Sequence, residues 1–96
     1  MEMLLFSVKD NKAGIFKPPF AASTTVEACR SFKQACKDKT VQLSLFPEDF
    51  DLYQLGVFDD STGLLYGKNI TNVKYPLFIV SAVSFSKIKE TNDNDK

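Results

Sequence analysis

The sequence contains no histidine and only two cysteines, Cys29 and Cys36. Without histidine there is no Cys–His nucleophile pair and no mixed Cys/His zinc site, and two cysteines alone do not make a structural zinc site within one chain. Both cysteines fall on the apolar stripe of a single expected helix. Seven residues separate them, about 10 Å along a helix axis, too far for a disulfide within that helix. They read as buried thiols. Long apolar runs are also missing: the longest, Leu77–Val83, is far short of the roughly 20 residues of a membrane span. The apolar start, Met3–Phe6, is too short for a signal-peptide core and follows Glu2 rather than a basic region. The expectation is a soluble cytoplasmic protein with no membrane contact, in which the sequon Asn69-Ile70-Thr71 has no role.

Net charge is absent too. Twelve basic residues balance twelve acidic ones, with a pI near 6.2, which argues against the broad positive field of a strong nucleic-acid binder. The balance conceals segregation: residues 1–45 sum to +3, residues 46–66 to −5 and residues 67–96 to +2. Solvated loops and strand edges account for such a layout; a basic and an acidic face, suited to self-association or a local DNA contact, is the alternative. With 44% apolar and 25% charged residues in 96 positions, the chain has the composition of one small folded domain, expected over residues 1–90. A disordered polar tail is expected at 91–96. At this size dimerisation would add useful burial.

The patterning predicts an α+β fold, an antiparallel sheet of about five strands with one main helix on one face. Met3–Val8 reads as the first strand, with Leu4, Phe6 and Val8 turned one way, and Asp10–Gly14 as a turn. Ile15–Ala22 returns as a second strand, marked as an edge or bulged strand because Pro18 and Pro19 cannot donate ladder hydrogen bonds. Thr24 and Glu27 form a capping box. A helix from Thr25 to Lys37 follows, with Val26, Cys29, Phe32 and Cys36 as its apolar stripe beside Ala28 and Ala35.

Around Phe46–Gly63 the pattern is densest. Pro47, Glu48 and Asp49 suit a short helix or bend. From Leu52 to Phe58 the side chains alternate, Tyr53, Leu55 and Val57 against Leu52, Gln54, Gly56 and Phe58, and Asp59–Gly63 turns the chain into a returning strand at Leu64–Tyr66. Gly67–Asn72 reads as a polar connection. Leu77–Val83 is apolar on both faces, as in a central strand or a subunit contact, and Ser84–Ile88 shifts to a half-exposed pattern.

No motif for catalysis, metal or cofactor is present. Glu48, Asp49, Asp51, Asp59 and Asp60 are close in sequence but lack calcium-loop spacing, and no base, nucleophile or phosphate loop accompanies them. Capping and turn formation explain them, and an enzyme is not expected. The opposite face of the helix carries Arg30, Lys33 and Lys37 at i, i+3 and i+7, with Lys39 beyond, a stripe that could follow a phosphate backbone or simply face solvent. Cations beside aromatics, Phe16 with Lys17, Lys74 with Tyr75 and Phe85 near Lys87, resemble the mixture that stacks single-stranded bases. The candidate nucleic-acid-binding residues are therefore Arg30, Lys33, Lys37, Lys17 and Lys74.

Three short motifs in order carry a family resemblance: Pro47-Glu48-Asp49-Phe50, then Leu52-Tyr53-Gln54-Leu55-Gly56, then Phe58-Asp59-Asp60-Ser61-Thr62-Gly63. With Phe6-Ser7-Val8, Asp10, Lys12 and Ala13 at the start, and Pro19-Phe20 after them, this series resembles the small nonstructural protein of gokushoviruses, bacteriophages of the microvirus group with single-stranded DNA genomes. The resemblance runs from Met3 to Gly63. Ala21 stands where that family usually has phenylalanine, Phe46 where it often has histidine, and the segment after Tyr66 matches nothing in it. The resemblance implies a nonstructural accessory protein of viral DNA replication or packaging, acting in the bacterial host cytoplasm and binding DNA, single-stranded DNA foremost. A homodimeric adaptor that engages phage replication or capsid proteins without touching DNA is the alternative.

Overall fold

The structure, a computed structural model, describes residues 1–38, 42–67 and 74–85. Two long strands organise it, β1 (Glu2–Asp10) and β4 (Phe50–Asp59), antiparallel neighbours at the centre of a six-stranded sheet. On the outer side of β1, β2 (Ile15–Phe16) and β3 (Phe20–Ala22) lie end to end. On the outer side of β4, β5 (Leu64–Tyr66) and β6 (Leu77–Ser81) do the same. The expected second strand is thus two short ones. Pro18 and Pro19, which have no N–H for the ladder, fall in the gap between them.

Two turns of like construction set the register of the long strands. Asp10 and Gly14 close the first, the glycine N–H donating to the aspartate carbonyl at 2.8 Å, while Asp10 Oδ1 accepts from the amides of Lys12 and Ala13. In the second, Gly63 donates to the Asp59 carbonyl at 2.7 Å and Asp59 Oδ1 accepts from the amide and hydroxyl of Ser61. Gly14 and Gly63 have φ of 76° and 77°, the left-handed region that glycine enters without cost from a β-carbon. The sequence pattern Asp-x-x-x-Gly is what both turns need.

The helix α1 (Thr25–Cys36) begins as its sequence requires: Thr24 Oγ1 accepts from Glu27 N at 3.1 Å, and the Glu27 carboxylate reaches back to Ser23 N at 3.2 Å. Ala28 and Phe32 are buried against Phe6, Ala22, Leu43, Phe50, Leu52 and Ala82, with Cys29, Ala35 and Cys36 partly covered beside them. Burying side chains such as Phe6 and Leu52 contributes roughly 1.5–3 kcal/mol each. Val26 does not join them. It is 65% exposed, because at 100° per residue it lies about 120° around the helix from Phe32. A second short helix, α2 (Gln42–Leu45), and a single 3-10 turn, Pro47–Asp49, lead into β4.

On β4 the alternation resolves into a buried row, Phe50, Leu52, Gln54 and Gly56, and a half-buried row, Tyr53, Leu55 and Val57. Two bulges interrupt the sheet. Leu55 is the extra residue between the pairs Phe6–Gln54 and Leu5–Gly56, and Ile79 is the extra residue between Tyr53–Phe78 and Leu52–Val80. Buried Ser7 donates its hydroxyl to the Lys17 carbonyl at 2.5 Å, and Gln54 Nε2 donates to the Gly56 carbonyl at 3.2 Å. Burial of these polar groups is therefore compensated.

The segment apolar on both faces is not a central strand. Among the described residues β6 pairs only with β4 and forms an edge, and beyond Ser81 the chain turns helical at 83–85 rather than continuing as a strand. Its two-sided apolar pattern has a local cause: Ile79 and Val80 pack on the core while Phe78 points to the other side of the sheet, opposite Tyr53. The expected polar connection after Gly67, the continuation to Ile88 and the tail at 91–96 lie outside the described residues.

Candidate nucleic-acid interface

Both faces of the molecule carry cations, but differently. On the helix side, Arg30, Lys33 and Lys37 are all exposed and follow one line along α1 away from the core. The helix positions them because Ala28 and Phe32 hold the opposite face against the sheet. Glu27, one turn from Arg30, keeps its negative charge beside the stripe. Its carboxylate is occupied by Ser23, whose hydrogen bonds are the main reason that its pKa is lowered, while Arg30 makes only a minor contribution. Glu27, Arg30, Ser31 and Gln34 line a shallow open depression on this surface.

Lys33 also approaches an aromatic ring, its Nζ 6.0 Å from the centroid of Phe85. That ring meets Phe32 edge-on at 6.0 Å, so the stripe is tied to the core through Phe85. Lys17 and Lys74 are not part of this line. Lys17 leaves β2 on the outer side of β1, with Nζ 5.8 Å from the Phe50 ring, and Lys74 precedes β6 on the outer side of β4. The structure brings together three of the five candidate residues and puts the other two on opposite edges of the sheet. Lys39 and Lys87 lie outside the described residues.

On the other side of the sheet, three aromatic rings stand in a row that no single stretch of sequence reveals. Phe16 of β2 meets Tyr53 of β4 edge-on at 5.5 Å, and Tyr53 meets Phe78 of β6 edge-on at 5.8 Å. Lys9 of β1, paired in register with Phe16, holds its Nζ 5.6 Å from the Phe16 centroid. Phe16 therefore partners Lys9 and Tyr53, while its sequence neighbour Lys17 partners Phe50. One signal in the sequence does bear on the row: Tyr53 alternates against Leu52, so it must face away from whatever Leu52 buries.

The remaining chemistry is spare. Burial pushes the Cys36 thiol up to about 11, which keeps it protonated and poorly nucleophilic at neutral pH. Cys29 and Cys36 are free thiols. Among the described residues no three Cys, Asp or Glu side chains gather as a metal site, and no helix is long and apolar enough to cross a membrane. The Met1 amino group contacts Asp60 at 2.8 Å and Asp59 at 3.9 Å, joining the start of β1 to the β4–β5 turn.

No curated protein and no solved structure matches the chain. A family model described as "Phage ORF5 protein" does match, over residues 3–85, which takes in both long strands, α1 and the edge strand β6 beyond the motifs that end at Gly63. On that match the chain belongs to the Phage ORF5 protein family of bacteriophage proteins.

Proposed function

We infer that this phage protein is a non-catalytic accessory factor of viral DNA replication or packaging, of the gokushovirus type, which binds DNA weakly and without sequence preference in the cytoplasm of the infected bacterium. Single-stranded DNA is the favoured form. The observation that supports this reading is the Arg30–Lys33–Lys37 line, three cations exposed along one side of α1. With zero net charge over the whole chain, attraction to phosphate has to be local. A salt titration of binding to single-stranded and duplex DNA tests it. Binding that weakens with salt and favours single strands is expected; no binding at low salt to either form defeats the reading.

A second reading has its own support. Leu64 and Leu65 on β5, and Leu77 and Phe78 on β6, are large apolar side chains exposed along one edge of the sheet. A homodimeric adaptor for replication or capsid proteins would cover them. Light scattering at micromolar concentration separates the two: a dimer with no affinity for DNA favours the adaptor.

A further inference from the structure

We propose that the aromatic row Phe16–Tyr53–Phe78, on the sheet face away from α1, is a stacking surface for the unpaired bases of single-stranded DNA. The proposal rests on the reading of this protein as a DNA-binding factor, and assigns the bases to a surface separate from the helix stripe.

The row is built by long-range pairing. Phe16, Tyr53 and Phe78 come from three different strands, and the register pairs Lys9–Phe16, Ser7–Tyr53 and Tyr53–Phe78 set them across the sheet. Successive centroids are 5.5 and 5.8 Å apart. The rings are not core: Phe78 is 52% exposed and Phe16 38% exposed, although α1 buries the rings of Phe6, Phe32 and Phe50 on the other face. Cross-strand aromatic pairs do stabilise sheets. That role is met by contact among the rings and with Lys9, and does not require Phe16 and Phe78 to stay open to solvent.

Charge decides the occupant. Lys9 stands over Phe16, exposed Lys12 lies in the turn that leads to β2, and exposed Lys74 leads into β6. At the Phe16 end of the row a lysine is therefore placed to meet phosphate while a ring meets a base. Asp51, paired with Lys9 in the ladder, is held by Asn11 Nδ2 at 2.8 Å and keeps its charge, so exposed Lys12 supplies the positive excess at this end. A sheet with exposed aromatics and flanking cations is the arrangement that takes about two or three unstacked bases in single-strand binders, and it tolerates any sequence because every base has a π-face. A duplex, whose bases are stacked inside, offers nothing to it.

The test uses the wild-type protein first. Fluorescence anisotropy compares an oligothymidylate longer than the ~4–16-nucleotide footprint of such surfaces, an abasic strand of equal length and a duplex. Oligothymidylate should bind at least about fivefold more tightly than the abasic strand. Phe16→Leu and Phe78→Leu, which keep apolar bulk and remove the ring, should each lower oligothymidylate affinity by at least about fivefold, while Phe78→Trp retains it. Neither Leu variant should change affinity for the abasic strand. Equal binding of the two strands overturns the proposal; if that binding also disappears when Arg30, Lys33 and Lys37 become Ala, the helix-stripe reading survives alone. Failure to bind any strand overturns both. A dimer that Phe78→Leu dissociates, without discrimination between strands, shows that a second copy covers the face and also overturns the proposal.

Discussion

Gly56 lies so close to the carbonyl oxygen of Tyr66 that no β-carbon fits between them. The approach occurs beside the Leu55 bulge, where β4 is flanked by β1 on one side and β5 on the other. The atom in the way is backbone, so the obstruction cannot be relieved by a side-chain rotation. Gly56→Ala should therefore cost about 1–3 kcal/mol, or more if β5 is forced off the sheet. A urea denaturation midpoint unchanged from wild type would contradict this.

Two apolar positions that look alike in sequence should behave differently. Leu52 is fully buried under α1, and Leu52→Ala should destabilise by about 2–5 kcal/mol. Val26, which shares the apolar composition of the helix, is largely exposed, and Val26→Ala should stay within about 0.5 kcal/mol. Chemical denaturation of the pair measures the contrast directly.

Changing Arg30, Lys33 and Lys37 together to Ala leaves the capped apolar face of α1 intact, so circular dichroism and melting temperature should hold near wild type. Three phosphate contacts correspond to a log–log salt slope of roughly −2 on single strands, or about −4 for a dimer using both stripes. The triple variant should flatten that slope. An unchanged slope and affinity would make the stripe a solvated surface and favour the adaptor reading.

Acid should weaken the fold through two carboxylates. The Glu27 pKa is lowered from its usual 4.5, chiefly by the hydrogen bonds from Ser23, and that of Asp59 from 3.8, chiefly by Ser61. A depressed pKa means that the folded protein takes up the proton less readily than the unfolded chain. The stabilisation is therefore complete above those usual values and disappears as pH falls through the lowered ones. Stability should decline as pH is taken below about 4.5, with a shallower decline in Glu27→Gln and Asp59→Asn. Urea midpoints measured across that range give the answer. Glu27 is exposed and Asp59 only half-buried at the surface, so the effect is modest and shrinks with salt.

The parts of this fold that were legible in sequence are those fixed within a few residues. Thr24 with Glu27, Asp10 with Gly14 and Asp59 with Gly63 each contain the donor, the acceptor and the permissive backbone of the structure that they form. Alternation from Leu52 to Phe58 showed a strand with two unlike faces. Strand neighbours were not legible, because they depend on pairings tens of residues apart. Leu77–Val83 read as a central strand or a subunit contact from its composition, yet the place of Leu77–Ser81 at an edge follows from its pairing, among the described residues, with β4 alone. For the same reason Phe16, Tyr53 and Phe78 were not grouped, and adjacency pointed to Lys17 as the partner of Phe16 when the ladder supplies Lys9.

Among the described residues the outer strands of the sheet are short, β2 and β3 beside β1 and β5 and β6 beside β4. Among the described residues no outer strand runs longer than the five residues of β6, so they offer no long uninterrupted border of the kind along which sheets join into fibrils. Short outer strands of this kind disfavour edge-to-edge joining of copies. Electron microscopy of concentrated samples should therefore show no filaments.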